Sequence, residues 1–548
     1  MLVSPMCSQA RWRLGGLILI ASALAVALLL LSGPFRLPIG VSYSDIYMFA
    51  DAAYRMSLGE VPHRDFSLPV GALPFIAYAA ALPFYPEAQL LLTAQLPLSA
   101  VFLLSMAVLV WAAVRPAVMV LAAGILALLA LMPFNWGDAE PTLRAEADGF
   151  GLYNREAGLA LYVIVCALWL ETRRKAAAMV IAAMLFLLWN IKITNFMAAL
   201  GMLIPASFLA GLGLRACGII AVGAIAGPLL QLLSGTLLPC IHDMWQLASA
   251  AASRGSITRR AATELGQNFW LLAPLVAAGC AMLLSEWRRI LRSVIALPAT
   301  PLSASADLLR LRTSNFLVLA LLAILVESQN TGSQAYAFVI PALIGAFDAF
   351  RSARALRIIR AGVLLSFPIL VCSIILARVA LVASADLRPF GSDRIAAYRA
   401  AAPPGLLAAA AQMMRAPETL LGTPLRFENE AVGEILYLML LDEGLKAFTE
   451  WQAKHRLVGT IASLDFVDPW PSITGLHPSP GLPVVFDPDR TIGTDLVPRL
   501  IAAWSRTDII LARRCMGIKK LVDLAGPALS GRHRVPLTPC WDMFVRTR

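Results

Sequence analysis

Charge is scarce in this chain. Only 14% of its 548 residues are charged, against roughly 25% in an ordinary globular domain, while 59% are hydrophobic, against roughly 45–50%. That balance excludes a conventional soluble protein. Nucleotide-binding signatures are also missing. Gly33, Gly40, Gly149 and Gly151 have neither a G-x-G-x-x-G nor a G-x-x-x-x-G-K context, which argues against a soluble nucleotide as donor. No Cys/His grouping has zinc-site spacing, and no repeat or low-complexity segment stands out. The first apolar run, residues 14–31, follows Arg11 and Arg13 as a signal peptide would. It lacks a small-residue cleavage site, Ser32-Gly33-Pro34-Phe35 being a poor one, so it reads as a retained first helix.

What the chain has is a long series of apolar runs, each able or nearly able to cross a hydrocarbon core of about 30 Å. They cover residues 14–31, 88–114, 118–134, 157–170, 176–189, 196–212, 217–238, 269–284, 316–326, 335–350 and 361–382. The fold class expected is an all-α polytopic membrane protein of about eleven transmembrane helices. The net charge of +11 fits the positive-inside bias better than nucleic acid binding. Arg115, the Arg173-Arg174-Lys175 cluster, Arg215, Arg288, Arg289, Arg292, Arg310, Arg312 and the arginines from Arg351 to Arg360 all fall on one side of such a path. The acids Asp138, Glu140, Glu146 and Asp148 fall on the other. The reading is a bacterial inner-membrane protein with a cytoplasmic amino terminus. Residues 70–84, which carry Pro74 and Pro83, then have to be a re-entrant or interfacial helix, because a full crossing there would invert every later loop.

After residue 384 the composition turns polar. Residues 1–384 are read as the membrane domain, with a first outer loop at 33–87, and residues 385–548 as a soluble α/β domain on the periplasmic side. Residues 457–462 and 508–511 look like buried strands, and 428–448 like an amphipathic helix. Cys166, Cys217, Cys280 and Cys372 lie in apolar runs and read as small buried hydrophobes. Cys515 and Cys540 lie in the polar region, where a periplasmic setting permits a bridge that spacing alone does not establish.

The chemistry concentrates in residues 44–68, SDIYMFADAAYRMSLGEVPHRDFSL. Ile46, Phe49, Ala53 and Met56 share one face of a helix that could lie flat on the membrane. Asp45 stands at its amino end, where a carboxylate either caps the helix or acts as a general base. Three further polar stations stand out. Residues 135–156 end in Tyr153-Asn154-Arg155-Glu156, where Asn154 reads as a helix cap or a substrate contact. Arg155 there has the planar fork that suits phosphate. Lys192 interrupts two apolar segments and either snorkels to the interface or meets a lipid-linked phosphate. Glu327 to Gln334 form a polar turn whose Gln329 and Asn330 could bind sugar hydroxyls. The loop carrying His242, Asp243, Trp245, Arg254, Arg259 and Arg260 is basic although on the outer side, which suits lipid headgroups or an anionic acceptor. Asp465 and Asp468 sit in a Pro-rich loop after a strand.

One helix comes first, then an outer loop with an early Asp, an A-x-x-hydrophobic-x-x-G element, a D-F element and a Pro-broken apolar run. This order resembles the first outer loop of the GT-C superfamily of integral membrane glycosyltransferases, which includes the lipid A aminoarabinose transferases and the protein O-mannosyltransferases. The matching residues are Asp45, Ala53, Met56, Gly59, His63, Asp65, Phe66, Pro69 and Pro74. The resemblance implies an inverting transferase that takes a sugar from a polyprenyl-phosphate carrier, with Asp45 in the position of the catalytic acid. Where many members carry a second acid, this chain has Ile46. Where many carry an Arg on the following helix, it has Gln89, Thr93 and Gln95. Lys192 and Arg155 are therefore the expected donor-phosphate contacts, and His63, Asp65, Asn154, Gln329 and Asn330 the expected substrate contacts. The partners implied are the lipid-linked donor, a lipid or polysaccharide acceptor and membrane lipids, with no nucleic acid. No cofactor is assigned, and no metal is assumed because Ile46, not an acid, follows Asp45. A polysaccharide polymerase or ligase is one rival, although the late helices carry no large loop. A transporter or flippase of a lipid-linked glycan is another. It would need ionisable residues at mid-membrane and repeated halves.

Overall fold

The computed structural model describes residues 5–33, 37, 42–132, 149, 151–252, 256–329, 334–350, 357–384, 430–456, 458–488, 491–493 and 496–547. All eleven apolar runs lie on helices. These are α1 (Pro5–Ser32), α4 (Leu90–Ala112), α5 (Pro116–Leu131), α6 (Leu152–Trp169), α7 (Arg174–Ile191), α8 (Ile193–Ala210), α9 (Leu214–Leu233), α12 (Phe269–Ala296), α14 (Arg312–Glu327), α15 (Ile340–Phe350) and α16 (Arg357–Ser384). Among the described residues seven helices are long and apolar enough to cross a bilayer. The number rises to eight if α13 (Pro301–Leu309) and α14, bent by 67° at their junction, form one span. Pro116–Leu131 and Tyr336–Asp348 are shorter apolar helices. The chain is a multi-pass membrane protein. Cys217 and Cys280 are exposed on the outer surface of its bundle, where a buried position was expected, and Cys166 is buried.

Side-chain contacts define two ends of the bundle. At one end Arg13 donates to the Ala113 carbonyl at 3.1 Å, and Arg115 pairs with Glu171 at 3.2 Å and with Asp348. Arg312 donates to the Gly345 carbonyl at 3.2 Å and lies over the Trp169 ring. The starts of α1 and α14 thus meet the ends of α4, α6 and α15. The opposite end carries the loops between α1 and α4, the start of α6 and the junction of α7 with α8.

That opposite end is roofed. Helix α2 (Ile46–Ser57) and the nine-residue α3 (Leu73–Ala81) lie between α1 and α4. At about 1.5 Å per residue, α3 is far too short to cross the bilayer. Over them sits the C-terminal unit, built on a five-stranded sheet of order β2-β1-β3-β5-β4. The strands are β1 (Thr460–Leu464), β2 (His477–Pro478), β3 (Ile509–Arg513), β4 (His533–Thr538) and β5 (Trp541–Val545). β1 runs parallel to β2 and β3, while β5 is antiparallel to β3 and β4. The period-two pattern of the strands sorts the core. Ile461, Ile509 and Leu511 face the long helix α17 (Glu430–His455), whereas Ala462, Leu464, Ile510 and Ala512 face the helices Val497–Arg506 and Lys519–Leu529. Cys515 and Cys540 are joined in a disulfide beside the end of β3.

The face toward α17 is not a private core. Ile46, Tyr47 and Phe49 of α2 and Phe75 and Tyr78 of α3 share one apolar cluster with Leu436, Leu440, Trp470 and Trp541. Helix α2 therefore does not lie on the membrane surface with one wet face. Its polar residues Asp51 and Arg55 are fully buried beneath the C-terminal unit. A single-helix pattern cannot anticipate a second covering layer from residues over 400 positions away.

Candidate functional site

Asp45 closes a 3-10 turn, Tyr43–Asp45, that leads directly into α2. Its backbone is already helical (φ −57°, ψ −23°) and its side chain does not cap the helix. Of the two roles open to this carboxylate, capping is thus removed. The turn is tied down from above, where the Ser44 amide donates to Glu434 of α17 at 2.9 Å. Gly59, the last residue of the A-x-x-M-x-x-G element, has φ +89° and ends α2, so that motif residue serves the turn.

Under the roof lies a second constellation. The Arg55 guanidinium donates to Asp51 at 3.0 Å, to Glu60 at 3.4 Å and to the Ser479 carbonyl at 3.3 Å. Asp468 accepts from the Ser463 amide at 3.1 Å and hydroxyl at 2.9 Å, and interacts electrostatically with Asp51 and Arg55. Three carboxylates thus share one guanidinium. Burial raises Asp51 above the usual carboxylate range despite the pull of Arg55. Burial and then the Asp51 charge push Asp468 up to about 7.

The third constellation is where loop and bundle meet. Arg155, in the first turn of α6, donates to Gln95 Oε1 at 2.7 Å and to the Met132 carbonyl at 3.1 Å. Gln95 in turn donates to the Ala130 and Met132 carbonyls at 2.9 and 2.7 Å, tying down the open end of α5. Lys192, at the break between α7 and α8, does not snorkel outward. It is buried, bonds Asn154 and stands 5.6 Å from the centre of the Tyr153 ring. Asn154 is not the cap of α6, a position held by Gly151. The first loop reaches the same break, where the Gly71 amide donates to the Ile191 carbonyl at 3.0 Å. A Cβ on Gly71 would fall 2.1 Å from the Asn190 carbonyl oxygen, so only glycine permits this approach. Glu156 lies beside Arg155 with both carboxylate oxygens buried and unbonded among the described residues. Glu327, also buried, interacts electrostatically with Lys192.

No family model, curated protein or solved structure matches the chain.

Of the residues singled out in the sequence, Arg155, Asn154 and Lys192 come together at one end of the bundle, with Gln95 as the partner of Arg155. His63 is held by a contact to a later helix. It is buried with φ +66°, and its Nδ1 lies 2.7 Å from Asp243 of α10 (Leu237–Ala252). Burial alone would lower its pKa, but the hydrogen bond to Asp243 and the neighbouring Cys240 outweigh it and hold His63 at about 9, charged at neutral pH. Asp65 accepts from the Val61 amide at 2.7 Å and pairs with Arg64 at 3.0 Å, which lowers its pKa and closes the turn. Gln329 is half-buried and donates to the Ser328 hydroxyl at 3.4 Å. Asn330 lies outside the described residues, as do Asp138, Glu140, Glu146, Asp148 and Arg254. Among the described residues no group of three or more His, Cys, Asp or Glu side chains is arranged to hold a metal ion. Sequence reading missed Asp51 and Arg55 as a buried pair. Their i,i+4 spacing on a helix was the available signal.

Proposed function

We propose that the chain is a membrane glycosyltransferase of the GT-C type that moves a sugar from a polyprenyl-phosphate carrier to an acceptor hydroxyl at the outer membrane surface. The observation that carries this reading is the pairing of Arg155 with Gln95 and of Lys192 with Asn154 at the end of the bundle capped by the first loop. Two buried basic side chains there suit a phosphate whose charge grows as the sugar leaves. Asp45, half-buried and not used as a cap, acts as the base: it takes the proton of the acceptor hydroxyl, the oxygen attacks the anomeric carbon, and the polyprenyl phosphate leaves with the bonding pair. His63 and Asp65 hold the loop in shape.

The site lies near helix ends. Arg155 is about one turn into α6 and Lys192 falls between two helices, whereas a transporter would place its ionisable groups at mid-membrane. The orientation proposed, with the arginine-rich end cytoplasmic and the C-terminal unit periplasmic in a bacterial inner membrane, rests on the charge bias.

Reconstitution of the full chain with defined polyprenyl-phosphate sugars tests the proposal. Transfer by wild type and a loss of roughly 10²–10⁴-fold in Asp45→Asn are expected, a range typical of a lost general base. Undiminished transfer in the variant removes Asp45 from the role. Movement of a solute across the bilayer without use of any lipid-linked donor establishes the transporter instead.

A further inference from the structure

The end of the bundle remote from the roof carries a groove of about 480 Å³ that the proposed reaction does not use. Its walls are the last two turns of α12 and the short α13, which folds back after residues 297–300. Arg289 and Arg292 reach it from α12 at i,i+3 spacing, Arg310 reaches it from the end of α13, and Ser293, Thr300 and Ser303 line it between them. Asp307, paired with Arg310 at 3.3 Å, is the only acid in its lining. Three cations against one anion leave the groove basic. Arg292 lines the groove and donates its Nε to the Arg288 carbonyl one turn back at 3.2 Å. The Thr300 and Ser303 hydroxyls are committed to backbone carbonyls, so the binding groups on offer are guanidiniums.

Flanking side chains give the groove its setting. Trp287, Ile295 and Leu302, on the same two helices but outside the groove lining, are exposed, which suits the boundary between hydrocarbon and headgroups. The bend of 67° between α13 and α14 sets α13 as a shelf across the end of the bundle rather than as a continuation of a span. A simple topogenic cluster needs only charge near a helix end. Here arginines from two elements converge on one walled space.

We propose that this groove binds a phosphate group of the kind carried by an anionic phospholipid headgroup. The guanidiniums supply paired donors to the phosphate oxygens, and the exposed apolar side chains of the same helices meet the acyl region.

The test takes the full chain in detergent and offers mixed micelles of phosphatidylglycerol and phosphatidylcholine with matched acyl chains, counting retained lipid by native mass spectrometry. A second arm offers inorganic phosphate alone and reads the thermal midpoint. Wild type retains phosphatidylglycerol in preference. The double variant Arg289→Gln/Arg292→Gln lowers that preference by roughly tenfold or more, since each arginine near an anionic headgroup is worth about 1 kcal/mol. Arg215→Gln, an exposed basic residue at the start of α9 and outside the groove, leaves the preference unchanged. Unaltered midpoints in phosphatidylcholine show that the variants fold. A midpoint raised by inorganic phosphate, and lost in the double variant, supports the phosphate site with a soluble source. Equal retention of the two lipids together with no response to phosphate overturns the proposal, and so does an equal loss in Arg215→Gln.

Discussion

Arg55 is fully buried and holds Asp51, Glu60 and the Ser479 carbonyl at once, with Asp468 close enough to feel its charge. Removing one member of such a set leaves uncompensated charge out of water. The acids outnumber the cation, so the junction holds a proton. Asp468 titrates at about 7 in the folded chain against a reference of 3.8. Between those two values the folded chain keeps a proton that the unfolded chain has released, so stability falls as pH rises through that window and levels off above it. Asp468→Asn removes this slope. Its thermal midpoint, followed in detergent from pH 4 to pH 8, should vary less than that of wild type. The same sign holds in a higher window at His63, raised from 6.5 to about 9 by Asp243 and Cys240 against its burial. Its stabilising charge is fully present below pH 6.5 and is lost as pH rises through 9. His63→Gln should therefore lower the midpoint at pH 7 and abolish the wild-type decline above pH 8. Single residues of this kind were partly legible. Lys192 and Arg155 stand out as cations between apolar runs, because charge there is costly. Asp51 and Arg55 carry no such mark, and His63 was expected at the substrate, since nothing local reveals what covers them.

At the scale of elements, the segment leading into α3 decides how loop and bundle fit. Gly71 brings the backbone against the carbonyl end of α7, one residue before Lys192. Gly71→Ala places a methyl group inside the Asn190 carbonyl, an overpacking that typically costs about 1–3 kcal/mol. A lowered thermal midpoint, with transfer activity falling through displacement of Lys192, is the expected result, and Gly71→Ser should behave alike. The apolar helices were legible because a bilayer demands long runs without charge, and each of the eleven runs lies on a helix. β1 and β3 were legible as short apolar stretches. β4 and β5 were not, since His533, Arg534, Pro536, Asp542 and Arg546 interrupt the hydrophobic signal along that hairpin. Gln95 is instructive. The sequence marks it as a position without the expected arginine, and α6 delivers Arg155 to it from 60 residues away.

The whole molecule is organised by a core that belongs to both ends of the chain. Tyr47, Phe49 and Phe75 pack with Leu436, Trp470 and Trp541, so the loop between α1 and α4 and the C-terminal unit are one packing unit. A chain ending at residue 384 would expose that face and the Asp51–Arg55 pair. Such a truncation should reach the membrane, yet migrate as aggregate in size-exclusion chromatography where wild type elutes as a single species. The same arrangement sets an order of events during synthesis. Ser44 meets Glu434 across 390 positions and Arg55 meets Ser479 across 424. Translation at about 5–20 residues per second makes the first loop wait roughly 20–80 seconds for its cover. Through that interval the aromatic side chains of α2 and α3 stand uncovered, and the arrival of the last segment becomes the step that completes the first.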